Sequence, residues 1–485
     1  MKKVLVWVLL FSTTTGIAQK KAKPDTYANT ITASDLKRHL YIVAGAEMEG
    51  RETGTEGERK AAAYIENEFK RIGLEPANNG SYRMYYPVYK DSLLDAKLEI
   101  NGVQYALDKD FNASLSNYPS MMAFSEAVFL GPKVTPDSIK NYDLTGKLVI
   151  VSGTVAGRTE LLRGKGIAAL MTVSDLYPRS RPLSRSGNQT VQFYKRSYAP
   201  QQFTLSAQLL DTLLGRRMDS AKAFTTPVVI NANILTEIQK RTTISQSSNV
   251  VGLLPGTTKK DEYVVITAHF DHNGKRDTVI YYGADDDGSG TVSIIELAEA
   301  FAKAKKEKRG PARTILFMTV SGEEKGLWGS AHYAAYPLFP LEKTTVNLNI
   351  DMIGRIDPKR TKGDSLNYVY VVGDDKLSTD LRKISESVNN KYTKLELDYK
   401  YNDPDDREFI YYRSDHYNFA RKGVPIIFYF NGTHADYHRP TDTPDKINYD
   451  LLTKRARFVF YTAWEMANRN DMVKRDLPLP ALRRQ

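Results

Sequence analysis

Cysteine is absent from all 485 residues. A chain without thiols has no disulfide framework, no thiolate metal site, no cysteine nucleophile and no lipid anchor on an N-terminal cysteine. Its stability must come from a packed core, and any metal must be held by histidine and carboxylate. Long apolar runs are missing too. The run from Val4 to Phe11 is too short to span a bilayer, and no later segment is apolar enough to do so. Its two-lysine start and the small-residue site at Gly16-Ile17-Ala18 give residues 1–18 the form of a cleaved secretory signal, so a secreted or periplasmic location is expected. Repeats of fixed period and low-complexity stretches do not occur. The formal charge of +11 is scattered, without the interleaved aromatics of a nucleic-acid groove, and reads as solvated surface.

What is present suits two or so packed units. From Asn249 onward, apolar runs at 263–268, 314–320, 345–350, 368–372 and 424–430 alternate with helical stretches, notably 291–304 and 377–389. Runs rich in Val and Ile and covered by helices predict an α/β fold, with a mixed, mostly parallel sheet sandwiched by helices. Upstream, Ala62, Ile65, Phe69 and Ile72 fall on one helical stripe that Gly73 ends. Between about 110 and 240 the texture changes to shorter strand and helix signals with neither histidine nor a compact carboxylate cluster. That block reads as a smaller α/β domain inserted into the first. Its Gly164 and Gly166 precede a strand and lack the remaining glycine of a dinucleotide fingerprint, so they argue for no nucleotide.

In open parallel sheets, ligands collect beyond the carboxyl ends of the strands. By that rule His269 and Asp271 leave the first strand, Glu323 and Glu324 the second, and Asp351 the third, while His434 and His438 follow the fifth. Residues scattered along the chain therefore converge on one rim. Asp285, Asp286 and Asp287 join them just before a helix. Several carboxylates facing each other cannot all stay ionised without a cation. Histidine and carboxylate without sulfur suit zinc, and a shared carboxylate suits a pair of ions about 3.5–4 Å apart.

Plainer readings exist. One aspartate of the triplet would cap the helix beginning near Ser289, though three exceed that need. A calcium loop aligned on Gly288 would place Gly283 at the first ligand position and Ile294 where the bidentate glutamate belongs, so that reading fails. His39 and His332 sit in helical segments without an acid at useful spacing and read as structural. His272 would point away from His269 if the strand continued.

The segments "NVVGLLPGT", "AHFDH", "GADDDGSG", "GEEKGLWGS", "NIDMIG", "RSDHYNF" and "HRPTDT", in this order and spacing, resemble the M28 family of zinc-dependent aminopeptidases. "EGRETGTEG" and the helix after it are similar to that family's N-terminal segment, and residues 109–242 resemble a protease-associated domain insert. The resemblance implies the zinc exopeptidase fold, with residues 19–108 and 243–470 forming the peptidase domain and 471–485 a basic tail. It implies two Zn2+ ions, with His269 and Asp351 on one, Glu324 and His438 on the other, and Asp286 bridging them. It also implies that Asp271 orients His269 through its second ring nitrogen, that Glu323 is the general base, and that the peptide between Asp286 and Asp287 is cis. His416 is then expected either to donate to the tetrahedral oxyanion or to be held structurally by Asp415. The expected substrate is a peptide with a free N-terminus, cleaved by metal-activated water. Three alternatives stay open. One is a carboxypeptidase or dipeptidase of the same fold, in which Arg413 clamps a substrate carboxylate unless it is buried in an ion pair. The second is a single-zinc glutaminyl-peptide cyclase, and the third a non-catalytic receptor-like binding protein.

Overall fold

The computed structural model describes residues 23–152, 161–174, 184–192, 199–215 and 224–479. The expected leader, residues 1–18, lies outside them, as do residues 480–485 of the basic tail. Among the described residues no helix is long and apolar enough to cross a membrane. The chain divides into two compact units, one of residues 85–247 and one of the residues on either side.

The flanking residues build a mixed sheet. Its strands in chain order are β1 (Val228–Leu254, of which residues 248–254 belong to this unit), β2 (Lys259–His269), β3 (Arg313–Val320), β4 (Thr344–Ile350), β5 (Tyr368–Val372), β6 (Glu396–Asp398) and β7 (Ile426–Phe430). They lie side by side in the order β6-β5-β7-β4-β2-β3-β1. β2 is parallel to both β3 and β4, β4 to β7 and β5 to β6; β1 against β3 and β5 against β7 are antiparallel. Every residue of β3, β4 and β7 is buried. Burial on both faces is why β3 and β7 read as unbroken apolar runs instead of alternating.

The main helices are α1 (Ala33–Val43), α2 (Glu56–Ile72), α3 (Gly290–Lys306), α4 (Trp328–Ala335), α5 (Leu381–Tyr392) and α6 (Tyr449–Asn468). Successive strand residues point to opposite faces, and the core divides accordingly. Ile266, Ile315 and Leu348 pack with Leu36, Ile65, Ile294 and Phe458 of α1, α2, α3 and α6. Their neighbours Val265, Leu316 and Phe428 pack with Tyr333 of α4 and with Phe419. Thr55 caps α2 by accepting the Glu58 N–H, and Gly73 ends it at φ 87°; such an N-cap contributes about 1 kcal/mol. Register sets the site. His269 is paired with Val320, and Ile350 with Tyr429, so β2, β3, β4 and β7 end level and their exit loops open on one rim.

Residues 85–247, taken by themselves, form a second α/β unit. Ser120–Leu130, Leu148–Val151, Ala169–Ser174 and Gln201–Ser206 lie parallel in that order. The first part of β1 runs antiparallel to one side and Phe111–Ala113 to the other. Phe111, Phe129, Ile150, Met171 and Phe203 fill its core. The compact unit starts earlier than the change of texture at 109, because the strand Arg83–Ile100 pairs with β1 and with Val103–Tyr105. All seven histidines lie outside it.

Candidate metal centre

The level strand ends bring the donors together. His269 closes β2, Glu323 and Glu324 follow β3, Asp351 follows β4, and the loop after β7 carries His438. Asp286 enters from the turn that precedes α3. His269 Nε2 lies 3.2 Å from Asp286 Oδ1 and 3.6 Å from Asp351 Oδ1. His438 Nε2 lies 3.0 Å from Asp286 Oδ2 and 3.0 Å from Glu324 Oε2. Asp286 thus turns one oxygen to each of two imidazole–carboxylate groups.

Among the described residues, His269, Asp287 and Asp351, and likewise His272, Asp286 and Glu324, lie close enough together to hold a cation, and the approaches of Asp286 to His269 and His438 have ligand-like spacing. Around a tetrahedral zinc with bonds of 2.0–2.2 Å, neighbouring ligand atoms stand about 3.3–3.6 Å apart, close to the 3.0–3.6 Å measured here. The approach of His438 to Asp286 Oδ2 is not a well-aligned hydrogen bond. Asp286 Oδ2 is buried without a hydrogen-bond partner, although an imidazole nitrogen stands 3.0 Å away. Left to protons alone, the cluster would hold them on its imidazoles. Burial opposes this, but Asp286 and Glu324 push His438 up to about 10, and Glu323 and Asp351 push the buried His269 well up in the same way. Despite its burial, Asp286 is driven well below the usual carboxylate range by His269 and His438. A cation supplies the same positive charge and releases those protons.

The three neighbouring aspartates divide three tasks. Asp287 Oδ1 accepts the N–H of Gly290 at 2.9 Å, which makes it the cap of α3, and also the N–H of Met352 at 3.0 Å. Its Oδ2 accepts the His269 N–H at 3.2 Å. Asp285 accepts the Gly354 N–H at 2.7 Å and faces His434 Nε2 at 3.1 Å. The Asp442 carboxylate accepts the N–H groups of Asp285 at 3.0 Å and Asp286 at 3.2 Å, which leaves the Asp286 side chain free for the site. The peptide between Asp286 and Asp287 is cis.

Glu323 stands at the lip of the site, with Oε2 4.0 Å from His269 Nε2. Burial, then the charges of Asp351, Glu324 and Asp415, push its carboxyl well up against the opposing pull of His269. The pocket beside it is lined by Met352, Ile410, Phe428 and Phe430 on the apolar side and by Arg413, Thr433 and Tyr437 on the polar side. Behind Asp351 runs a buried polar chain through the sheet. Asn347 Nδ2 donates to Thr267 (2.9 Å), Thr267 to Asn349 (2.6 Å), Asn349 to Ser414 (2.9 Å), and Ser414 to Asp351 Oδ2 (2.6 Å). This explains the polar residues of the otherwise buried β4.

Several expectations change at this resolution of detail. The carboxylate of Asp271 is 3.7 Å from His269 Nδ1, farther than its own main-chain carbonyl at 3.1 Å. Its oxygens are engaged by the hydroxyl of Thr53 at 2.9 Å and the N–H of Glu323 at 3.1 Å. Asp271 therefore faces His269 Nδ1 with its main-chain carbonyl and, farther off, with its carboxylate, which also ties two loops together. His416 does not face an oxyanion. Its ring is fully buried, its Nε2 donates to the Tyr411 carbonyl at 2.7 Å, and it stacks on Phe428 at 4.6 Å. Burial lowers it to about 3, so the ring is neutral and its second nitrogen has no proton to give. Asp415 is not its hydrogen-bond partner either, since the carboxylate oxygens and His416 Nδ1 are both without one.

His272 turns inward, because β2 ends at His269 and strand alternation no longer applies; its Nδ1 reaches 2.8 Å from Glu324 Oε1. His39 finds an acid after all, Glu296 of α3 at 3.3 Å, at a sequence distance no local pattern reveals. Arg413 is exposed, and its recorded partner is the Tyr437 hydroxyl at 3.3 Å, so the buried ion pair is not formed. Sequence reasoning passed over Ser414, Arg51 and Thr53 as individuals. The signal was present in the quoted segments that hold them, "RSDHYNF" and "EGRETGTEG".

Comparison with known proteins gives a consistent set of likenesses. The chain is 31% identical over 230 residues to a probable leucine aminopeptidase of Arthroderma otae, covering 46% of this chain and 58% of that protein. It is 25% identical over 325 residues to aminopeptidase YwaD of Bacillus subtilis, covering 64% of each. The aligned part thus spans little more than half the length of the fungal relative. Among solved structures, an aminopeptidase from Aneurinibacillus sp. strain AM-1 superposes with a TM-score of 0.55 at 19% identity, over 96% of this chain and 100% of that one, and shares the fold. Residues 249–463, which hold every donor named above, match the model of peptidase family M28.

Proposed function

We propose that this chain is a dinuclear zinc aminopeptidase that removes N-terminal residues from peptides. One observation carries the reading: Asp286 offers its two oxygens to separate imidazole–carboxylate groups, as a carboxylate shared by two ions would. His269 and Asp351 would hold one zinc, Glu324 and His438 the other. When bound, the ions supply Lewis acidity toward water and toward the scissile carbonyl. The names of the relatives, which include aminopeptidases and a zinc metalloprotease, support the same class.

The chain's own residues do the rest. Glu323, with its raised affinity for a proton, takes the proton of the attacking water and returns it to the leaving amine. Once His416 is excluded, Tyr437, whose hydroxyl accepts from Arg413, and Thr433 are hydroxyl donors that line the pocket. Ile410, Phe428 and Phe430 offer apolar contact to the first side chain. We place the enzyme outside the cytoplasm, exported by residues 1–18, with residues 85–247 as a protease-associated insert.

A second reading has its own observation. Arg413 lines the pocket, is exposed, and among the described residues makes no ion pair, so it is available to a substrate carboxylate. A panel of free, N-blocked and C-amidated peptides, assayed with and without chelator, separates the two. Release of the first residue from free and amidated peptides, abolished by chelator, is the expected result. Cleavage of N-blocked peptides from the other end would replace it with a carboxypeptidase. Ammonia loss from an N-terminal glutamine peptide without cleavage would indicate a cyclase.

A further inference from the structure

Three segments carry most of the donor set: 269–274 after β2, 282–287 before α3, and 321–325 after β3. A fourth stretch, residues 50–58, touches all three, and it lies about 190 residues or more upstream of the span that matches the family model. Arg51 is fully buried there. Its guanidinium donates to the carbonyls of Phe270 at 2.6 Å, Val43 at 2.8 Å, Tyr282 at 2.8 Å and Gly283 at 2.9 Å. One planar fork thus joins the exit of β2, the entry to the aspartate turn and the end of α1. No other side chain presents so many donors in one plane. The carboxylates of Asp271, Asp286, Asp442 and Asp287 act on it electrostatically against the effect of burial, so a cation stands behind the cluster.

The backbone closes the same seam. The Arg51 carbonyl accepts the His272 N–H at 3.2 Å, and the Gly50 carbonyl accepts the Gly274 N–H at 2.9 Å. Gly50 has φ 69°, and a Cβ there would stand 2.3 Å from the Gly274 carbonyl oxygen, so only glycine permits the approach. Two residues on, the Thr53 hydroxyl donates to Asp271 Oδ2 at 2.9 Å, while Asp271 Oδ1 holds the Glu323 N–H and the Asp271 carbonyl faces His269 Nδ1. The third segment is held by Glu58, which accepts the Ser321 hydroxyl, and by Glu52, which pairs with Lys325 at 2.8 Å.

We propose that residues 50–58 are a strap that fixes the spacing of the two donor groups, with Arg51 and Thr53 as positioning residues for the metal centre. This rests on the two-ion reading of the site. The strap touches neither ion. It sets where His269, Asp286 and Glu323 stand before any ion arrives.

The test is a zinc titration by competitive chelation on the full chain, with cobalt absorption as a reporter of donor geometry and thermal melting of the metal-free protein as a fold control. Thr53→Val keeps the shape and removes the hydroxyl. It should melt as the parent does, lose about 10–100-fold in zinc affinity, as loss of a group that orients a ligand typically causes, and shift the cobalt band. Thr53→Ser should restore both. Arg51→Lys, a cation without the fork, should weaken both ions; if it fails to fold, the Thr53 pair decides alone. A folded Thr53→Val protein with parental affinities and an unchanged cobalt spectrum overturns the strap. Failure of the parent itself to bind zinc or cobalt would instead overturn the two-ion reading.

Discussion

The two donor groups share Asp286 but are built differently. The His269 side chain is 1% exposed and that of His438 39%. His269 has its Nδ1 beside the Asp271 carbonyl and its N–H on Asp287, and its partner Asp351 is gripped by Ser414. The His438 ring faces the Asp286 and Glu324 carboxylates at 3.0 Å each and lies against Tyr437, with ring centroids 3.8 Å apart. In the first group both the imidazole and the carboxylate are oriented by polar bonds; in the second Glu324 is held by Asn273 and His272, whereas His438 itself rests on a stacked ring in a more exposed position. Orientation by hydrogen bonding strengthens a metal site, so the two ions should be held unequally, and dilute chelator should remove the one at His438 first.

Substitutions bear on this contrast with decreasing force. Replacing Asp286 with Ala erases it. Both groups lose their common oxygen donor, and elemental analysis should find the pair of ions gone together with turnover; two ions per chain would refute the sharing. Glu323→Gln leaves the contrast intact, with both metals retained and turnover down about 10²–10⁴-fold, the range typical of a lost general base; near-parental turnover would remove Glu323 from that role. His438→Ala should shed one ion and keep the other, whereas His269→Ala should disturb both, since its ring lies in the braced half. Equal metal loss in the two variants would dissolve the asymmetry. Smallest is Ser414→Ala, which frees Asp351 Oδ2. An affinity loss of about 10–100-fold confined to the tighter ion is expected, and no change would show that the buried polar chain serves the sheet alone.

Much of the architecture was legible in the order of apolar runs. Burial on both faces leaves little choice of residue in β3 and β7, and such runs end where the rim begins. His269 and Asp351 directly follow such runs and Glu324 comes four residues after one, which is why the strand-end rule points to them. Taken alone, the triple aspartate left its division of labour open; the family resemblance pointed to Asp286 as the shared carboxylate, and the physical reason lies in which main-chain N–H each carboxylate meets. Asp287 proves to be the helix cap and Asp286 the shared donor. The condition set for His272, that the strand continue, is not met, since β2 ends at His269 and the ring turns toward Glu324. His416 looked like a donor, and only its packing against Phe428 and Tyr411 removes it. Contacts between distant parts of the chain left no local trace. His39 meets Glu296 and Arg51 meets Phe270 across more than 200 residues, and nothing in either segment names its partner.

Ser414 has a consequence for coordination number. With its Oδ2 engaged, Asp351 would offer mainly Oδ1 to a cation rather than both oxygens. Beside one imidazole and one oxygen of Asp286, it would then complete a set of three protein ligands. A zinc held by three would keep a fourth position for solvent or substrate.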